Sequence, residues 1–131
     1  VCDGSVHRRH WLFSESVGLK HAFQSKYRKA YYAVIFTSLK KRDDMGYQKT
    51  SDKISAIVST MNGFLGVECL RDVDGFGITV SYWDSMESID AWRKNLDHME
   101  AKQRGRSEWY QEYTIRICKV EFENHFEITD Q

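Results

Sequence analysis

FLGVECLRDVDGFGITVSYW, residues 64–83, decides the fold. Two runs rich in β-branched and aromatic residues flank Val73-Asp74-Gly75. An Asp-Gly pair tolerates positive φ, so this stretch reads as two β-strands joined by a tight turn. The strands span residues 64–71 and 76–83.

Working outward, residues 84–87 read Asp-Ser-Met-Glu, close to a capping box. Behind it Met86, Ile89, Trp92, Leu96 and Met99 recur at helical spacing. On the other side, Tyr47, Ile54, Ile57, Val58 and Met61 form a second helical stripe. Asp43 or Asp44 is placed to cap it, and Asn62-Gly63 to end it. YYAVIFTSL, residues 31–39, is a near-continuous apolar run that reads as a strand buried on both faces. Residues 113–122 read as the last strand.

The order is therefore β-α-β-β-α-β, an α+β, ferredoxin-like sheet with both helices on one face. Residues 1–30 form an N-terminal extension, irregular or with a short helix, with Trp11, Leu12 and Phe13 as a small apolar cluster. The domain spans 31–126, and 127–131 is a tail. The helices can cover one sheet face only. Residues 31–36 and 115–122 alternate apolar side chains on both faces, so the second face needs a partner. The expected partner is a second copy, two sheets packing face to face in a homodimer.

At 131 residues the chain is one domain in size. The formal net charge is zero, which gives no reason to expect nucleic acid or an anionic membrane as partner. The charge is uneven, with six basic residues against two acidic in 1–30. No apolar run approaches membrane-spanning length and no secretory leader is read in the head. Cys2, Cys69 and Cys118 are odd in number and far apart. That suits a reducing cytoplasm, with Cys69 and Cys118 as core thiols.

Asp74-Gly75-Phe76-Gly77-Ile78 superficially resembles the third-strand signature of the RNA-recognition motif, which shares this strand order. Asp74 stands where that module needs a basic residue, and Ile78 where it needs a second stacking aromatic. Another resemblance covers residues 31–126. YYAVIFTS, GFLGVE, RDVDGFGITVSYWDSMESIDAWR, HMEAKQRG, then WY and YTIRICKVE are similar in order and spacing to the antibiotic biosynthesis monooxygenase superfamily. Its small stand-alone bacterial members are the most alike. The resemblance implies a dimeric α+β barrel. It also implies oxygenation of a small aromatic or quinone-like compound, with no cofactor, in a cavity between sheet and helices. Haem-degrading relatives carry a histidine ten residues after the tryptophan matching Trp92; Lys102 stands there. The alternative is a non-catalytic module of the same fold that binds a small hydrophobic ligand or a protein partner.

Cofactor-free oxygenation needs a base, an apolar aromatic pocket and one or two polar groups that hold a substrate anion. The candidate catalytic residues are His98, as base, and Arg116, flanked by Ile115 and Ile117 in a strand expected to be buried. A buried arginine needs a partner, which Glu68 or Glu121 could supply. The candidate substrate-binding residues are Trp83, Trp92, Tyr110, Tyr113 and Glu68.

Overall fold

The computed structural model describes residues 7–8, 30–42, 46–97 and 108–128. In chain order the elements are β1 (His7–Arg8), β2 (Tyr31–Lys40), α1 (Tyr47–Val58), β3 (Phe64–Arg71), β4 (Phe76–Trp83), α2 (Met86–Asp97) and β5 (Tyr110–Val120). The sheet order is β1-β3-β4-β2-β5, antiparallel throughout. Its four long strands and two helices have the ferredoxin-like arrangement. The two residues of β1 add a short strand outside β3, pairing His7 with Cys69 and Arg8 with Glu68. The N-terminal extension thus reaches the sheet edge, which the sequence did not indicate.

The turn between β3 and β4 is held as its residue types require. Gly75 takes a φ of 98°, and the Asp72 carboxylate accepts from the backbone N–H groups of Asp74 and Phe76. Helix α2 starts one residue later than the Asp84 cap predicts. The Ser85 hydroxyl accepts from the Ser88 N–H at 3.1 Å, and Asp84 instead takes the Ser88 hydroxyl at 3.0 Å. A serine three residues on fills the place a capping-box glutamate would take. Helix α1 follows Gly46, at φ 81° with no side-chain cap; Asp43 and Asp44 lie outside the described residues. The last strand begins at Tyr110, three residues before the expected start, and ends at Val120.

The register assigns side chains to faces. Tyr32 lies opposite Trp83, Val34 opposite Ser81 and Ile117, Phe36 opposite Thr79 and Ile115, and Ser38 opposite Gly77 and Tyr113. This set faces the helices, because two core clusters form on it. One joins Phe64, Trp83 and Ile89, with Tyr32, Val34, Val58, Met61 and Trp92 against them. The other joins Tyr47, Ile54, Trp109 and Tyr110, with Phe36, Trp92, Leu96 and Tyr113. Trp92 packs on both. The alternate set, Ile35, Thr37, Glu68, Leu70, Ile78, Val80, Tyr82, Arg116 and Cys118, forms the open face. Leu70 and Ile78 are exposed there.

Candidate functional site

The helix-side face is where aromatic walls and polar groups meet. Trp83 is fully buried at the end of β4, its indole stacked on Trp92 at 6.4 Å between ring centres. Its Nε1 donates to the Ser81 hydroxyl at 3.0 Å. Further along, Phe36, Tyr110 and Tyr113 pack on one another at 5.5 to 6.0 Å. Tyr47 stands edge-on to Trp109 and Tyr110. Trp83, Trp92, Tyr110 and Tyr113 therefore all lie on the same side of the sheet.

A buried cation sits among these rings. Arg71, the last residue of β3, donates to the Gly75 carbonyl at 2.6 Å and to the Ser38 hydroxyl at 2.8 Å. A longer contact of 3.5 Å reaches the Tyr47 hydroxyl. Its guanidinium carbon lies 5.9 Å from the ring centres of both Tyr47 and Tyr110, and Lys40 Nζ lies 4.7 Å from the Tyr47 ring. Guanidinium over aromatic faces is favourable, more so when desolvated. One row away, Thr79 is 7% exposed and its hydroxyl meets no partner among the described residues. Burying an unpaired hydroxyl costs about 1 to 3 kcal/mol.

Two of the sequence candidates lie elsewhere. Glu68 and Arg116 are on the open face, separated from the aromatic space by the sheet. Arg116 lies opposite Ile35 on the edge strand β5 and is exposed, not buried as expected. The edge position leaves its long side chain in solvent. It makes no ion pair with Glu68, since β4 and β2 stand between their strands. Glu68 instead accepts from Tyr82 Oη at 2.8 Å. Burial, then the hydrogen bond to Glu68 and that carboxylate's charge, push the Tyr82 phenol well above its ordinary range. Cys118 is exposed and Cys69 half-buried, so neither is a core thiol. His98 lies outside the described residues.

The sequence reading missed Arg71 and Thr79. A signal for Arg71 was present in Gly77, directly across from it in the register. A Cβ on Gly77 would come within 2.6 Å of the Arg71 guanidinium carbon, so the glycine makes room for it. Among the described residues no three His, Cys, Asp or Glu side chains gather as metal ligands.

The family model of the antibiotic biosynthesis monooxygenases matches residues 31–104. The chain belongs to the antibiotic biosynthesis monooxygenase family. It is also 48% identical over 97 residues to an uncharacterized protein, YqjZ, of Bacillus subtilis (strain 168), covering 74% of this chain and 85% of that protein. As a family member it carries the suggestion of monooxygenase chemistry or small-molecule binding. No helix among the described residues is long and apolar enough to cross a membrane.

Proposed function

We propose that this family member is a cytoplasmic homodimer that takes a small aromatic or quinone-like compound between sheet and helices and oxygenates it without a cofactor. The observation that carries the reading is buried Arg71, held against the Tyr47 and Tyr110 rings, with the Thr79 hydroxyl, unpartnered among the described residues, one row away on the same sheet face. The rings of Phe36, Trp92, Tyr110 and Tyr113 supply apolar contact area. Arg71 supplies positive charge toward a phenolate oxygen, and Thr79 a hydroxyl able to donate to it. Arg71 thereby takes the role first assigned to Arg116. His98, the residue that follows Asp97 in sequence, is the proposed base.

In such a reaction the base removes a phenolic proton and the anion passes an electron to dioxygen. For a ring methylene oxidised to a carbonyl, one oxygen atom stays on carbon. The other leaves as water with the two hydrogens of the methylene. The low-dielectric aromatic surroundings strengthen the hold of Arg71 on the anion.

A binding-only module is the second reading, favoured by how firmly Arg71 is already held by Gly75, Ser38 and Tyr47. Oxygen uptake with a panel of phenols and hydroquinones separates the two. The enzyme reading expects uptake that falls at least about tenfold in His98→Ala and Arg71→Leu. Binding of panel members by fluorescence with no uptake supports the binding module. Neither binding nor uptake would remove both.

A further inference from the structure

Cys69 stands in the row of the sheet that carries Thr79. On β3, Val67, Cys69 and Arg71 turn to the helices, with Ser81, Thr79 and Gly77 as their partners on β4. Across three strands the row reads Cys69, Thr79, Phe36. Directly opposite residues of antiparallel strands hold their Cβ atoms about 4.5 to 5.5 Å apart. A thiol and an aromatic ring therefore flank one hydroxyl. Arg71 follows Cys69 by two residues on the same face.

Thr79 is 7% exposed, and its hydroxyl meets no partner among the described residues. Such a hydroxyl gains from any oxygen that comes to accept from it. Cys69 carries a thiol rather than a disulfide and is half-buried, which leaves its sulfur reachable. A thiol, a buried donor and an aromatic ring in one row suit a planar molecule with a carbonyl oxygen and an electrophilic carbon conjugated to it. A quinone holds both in one ring. With its carbonyl oxygen on Thr79, the conjugated ring carbon falls on the Cys69 side of the row.

We propose that Cys69 is a covalent capture site for quinones that enter on the helix side. The sulfur, as thiolate, adds to the ring carbon conjugated with the carbonyl that Thr79 holds. One S–C bond forms. The electron pair of the ring C=C moves to the carbonyl oxygen, which takes up the proton lost by the thiol. The hydrogen of the attacked carbon then passes to the second oxygen as the ring becomes aromatic. The product is a hydroquinone thioether on Cys69 that keeps every atom of the quinone, and no other oxidant or reductant takes part. Thr79 donates to the oxygen on which charge grows. The inference rests on the reading of the helix side as a site for quinone-like compounds and adds a reaction that uses no dioxygen.

Peptide mass mapping of the full chain after exposure to 1,4-naphthoquinone under argon tests it, with N-acetylcysteine in the same solution as reference thiol. Cys69 gains the whole mass of one quinone, at a rate that saturates with quinone concentration. At low concentration it reacts about tenfold or more faster than N-acetylcysteine, although it is half-buried. Iodoacetamide, which has no ring, labels Cys69 no faster than the reference. 1-Naphthol, which has the ring and an oxygen but no electrophilic carbon, slows the quinone reaction. Thr79→Val slows it about fivefold or more. Equal acceleration toward iodoacetamide would make Cys69 a reactive thiol without a quinone site and overturns the inference. A linear rate no faster than the reference, or a rate unchanged in Thr79→Val, overturns it and spares the ligand reading if 1-naphthol still binds by fluorescence. If 1-naphthol neither binds nor protects, both fall.

Discussion

Arg71 and Gly77 are one feature written in two residues. The guanidinium lies where a side chain on the neighbouring strand would stand, and glycine leaves that space open. Arg71→Ala strands the Ser38 hydroxyl and removes a hydrogen bond to the turn carbonyl of Gly75, at a cost of about 2 to 4 kcal/mol. Gly77→Ala pushes a methyl into the same guanidinium and costs about 1 to 3 kcal/mol. Urea unfolding of the double variant decides whether these costs share a cause. Gly77→Ala is expected to cost under about 0.5 kcal/mol once Arg71 is alanine. Thr79 behaves oppositely. Thr79→Val removes an unpaired buried hydroxyl without changing shape, and raises stability by about 1 kcal/mol. In a fluorescence titration with a bound phenol the same change weakens affinity about fivefold or more, the loss of one hydrogen bond. Affinity equal to wild type would leave Thr79 outside the ligand contacts.

At the scale of elements, β4 separates two chemistries on alternate residues. Thr79, Ser81 and Trp83 turn to the helices, while Val80 and Tyr82 turn to the open face. Tyr82 gives that face a pH dependence. Its phenol, ordinarily at 10.0, is raised in the folded protein by burial and by Glu68. The unfolded chain therefore ionises first. The stabilisation is fully present below pH 10 and is lost as pH rises above it. In Tyr82→Phe this part of the alkaline loss disappears. The difference in unfolding free energy between the two chains is constant well below pH 10 and shrinks steadily as the pH rises above it, the remaining tyrosines cancelling in the comparison. A gap that stays constant would mean that neither burial nor Glu68 raises the Tyr82 phenol. The hairpin, both helical stripes and four of the strands were legible from periodicity and turn residues, because burial of one face dictates a period of two or 3.6. Which arginine is buried was not. Arg116 has apolar neighbours in sequence, but β5 is an edge strand, and edge position follows from sheet order rather than local pattern. Arg71 sits beside a polar turn and reads as exposed, although its strand lies against α1 and the Tyr110 ring.

For the whole molecule, the two sheet faces divide the work. The helix-side face holds the aromatic cluster, Arg71 and Thr79 within a single chain. The open face, with Ile35 and Val80 half-buried at its centre, is the proposed meeting place of two copies. If the division is right, association and ligand binding are separable. A charge at the centre of the open face cannot be desolvated against a partner sheet without a large penalty, whereas on the lone chain it stays in water. Val80→Lys therefore yields a folded monomer by sedimentation velocity, with circular dichroism like that of wild type. Because every side chain proposed to contact the ligand belongs to one chain, this monomer binds a phenol within about threefold of the wild-type affinity, a change under about 1 kcal/mol. Joint loss of dimer and binding would instead require that the second copy shape the helix-side space through the sheet. In that case the sheet, not the helices, would set the spacing between Arg71 and the rings around it.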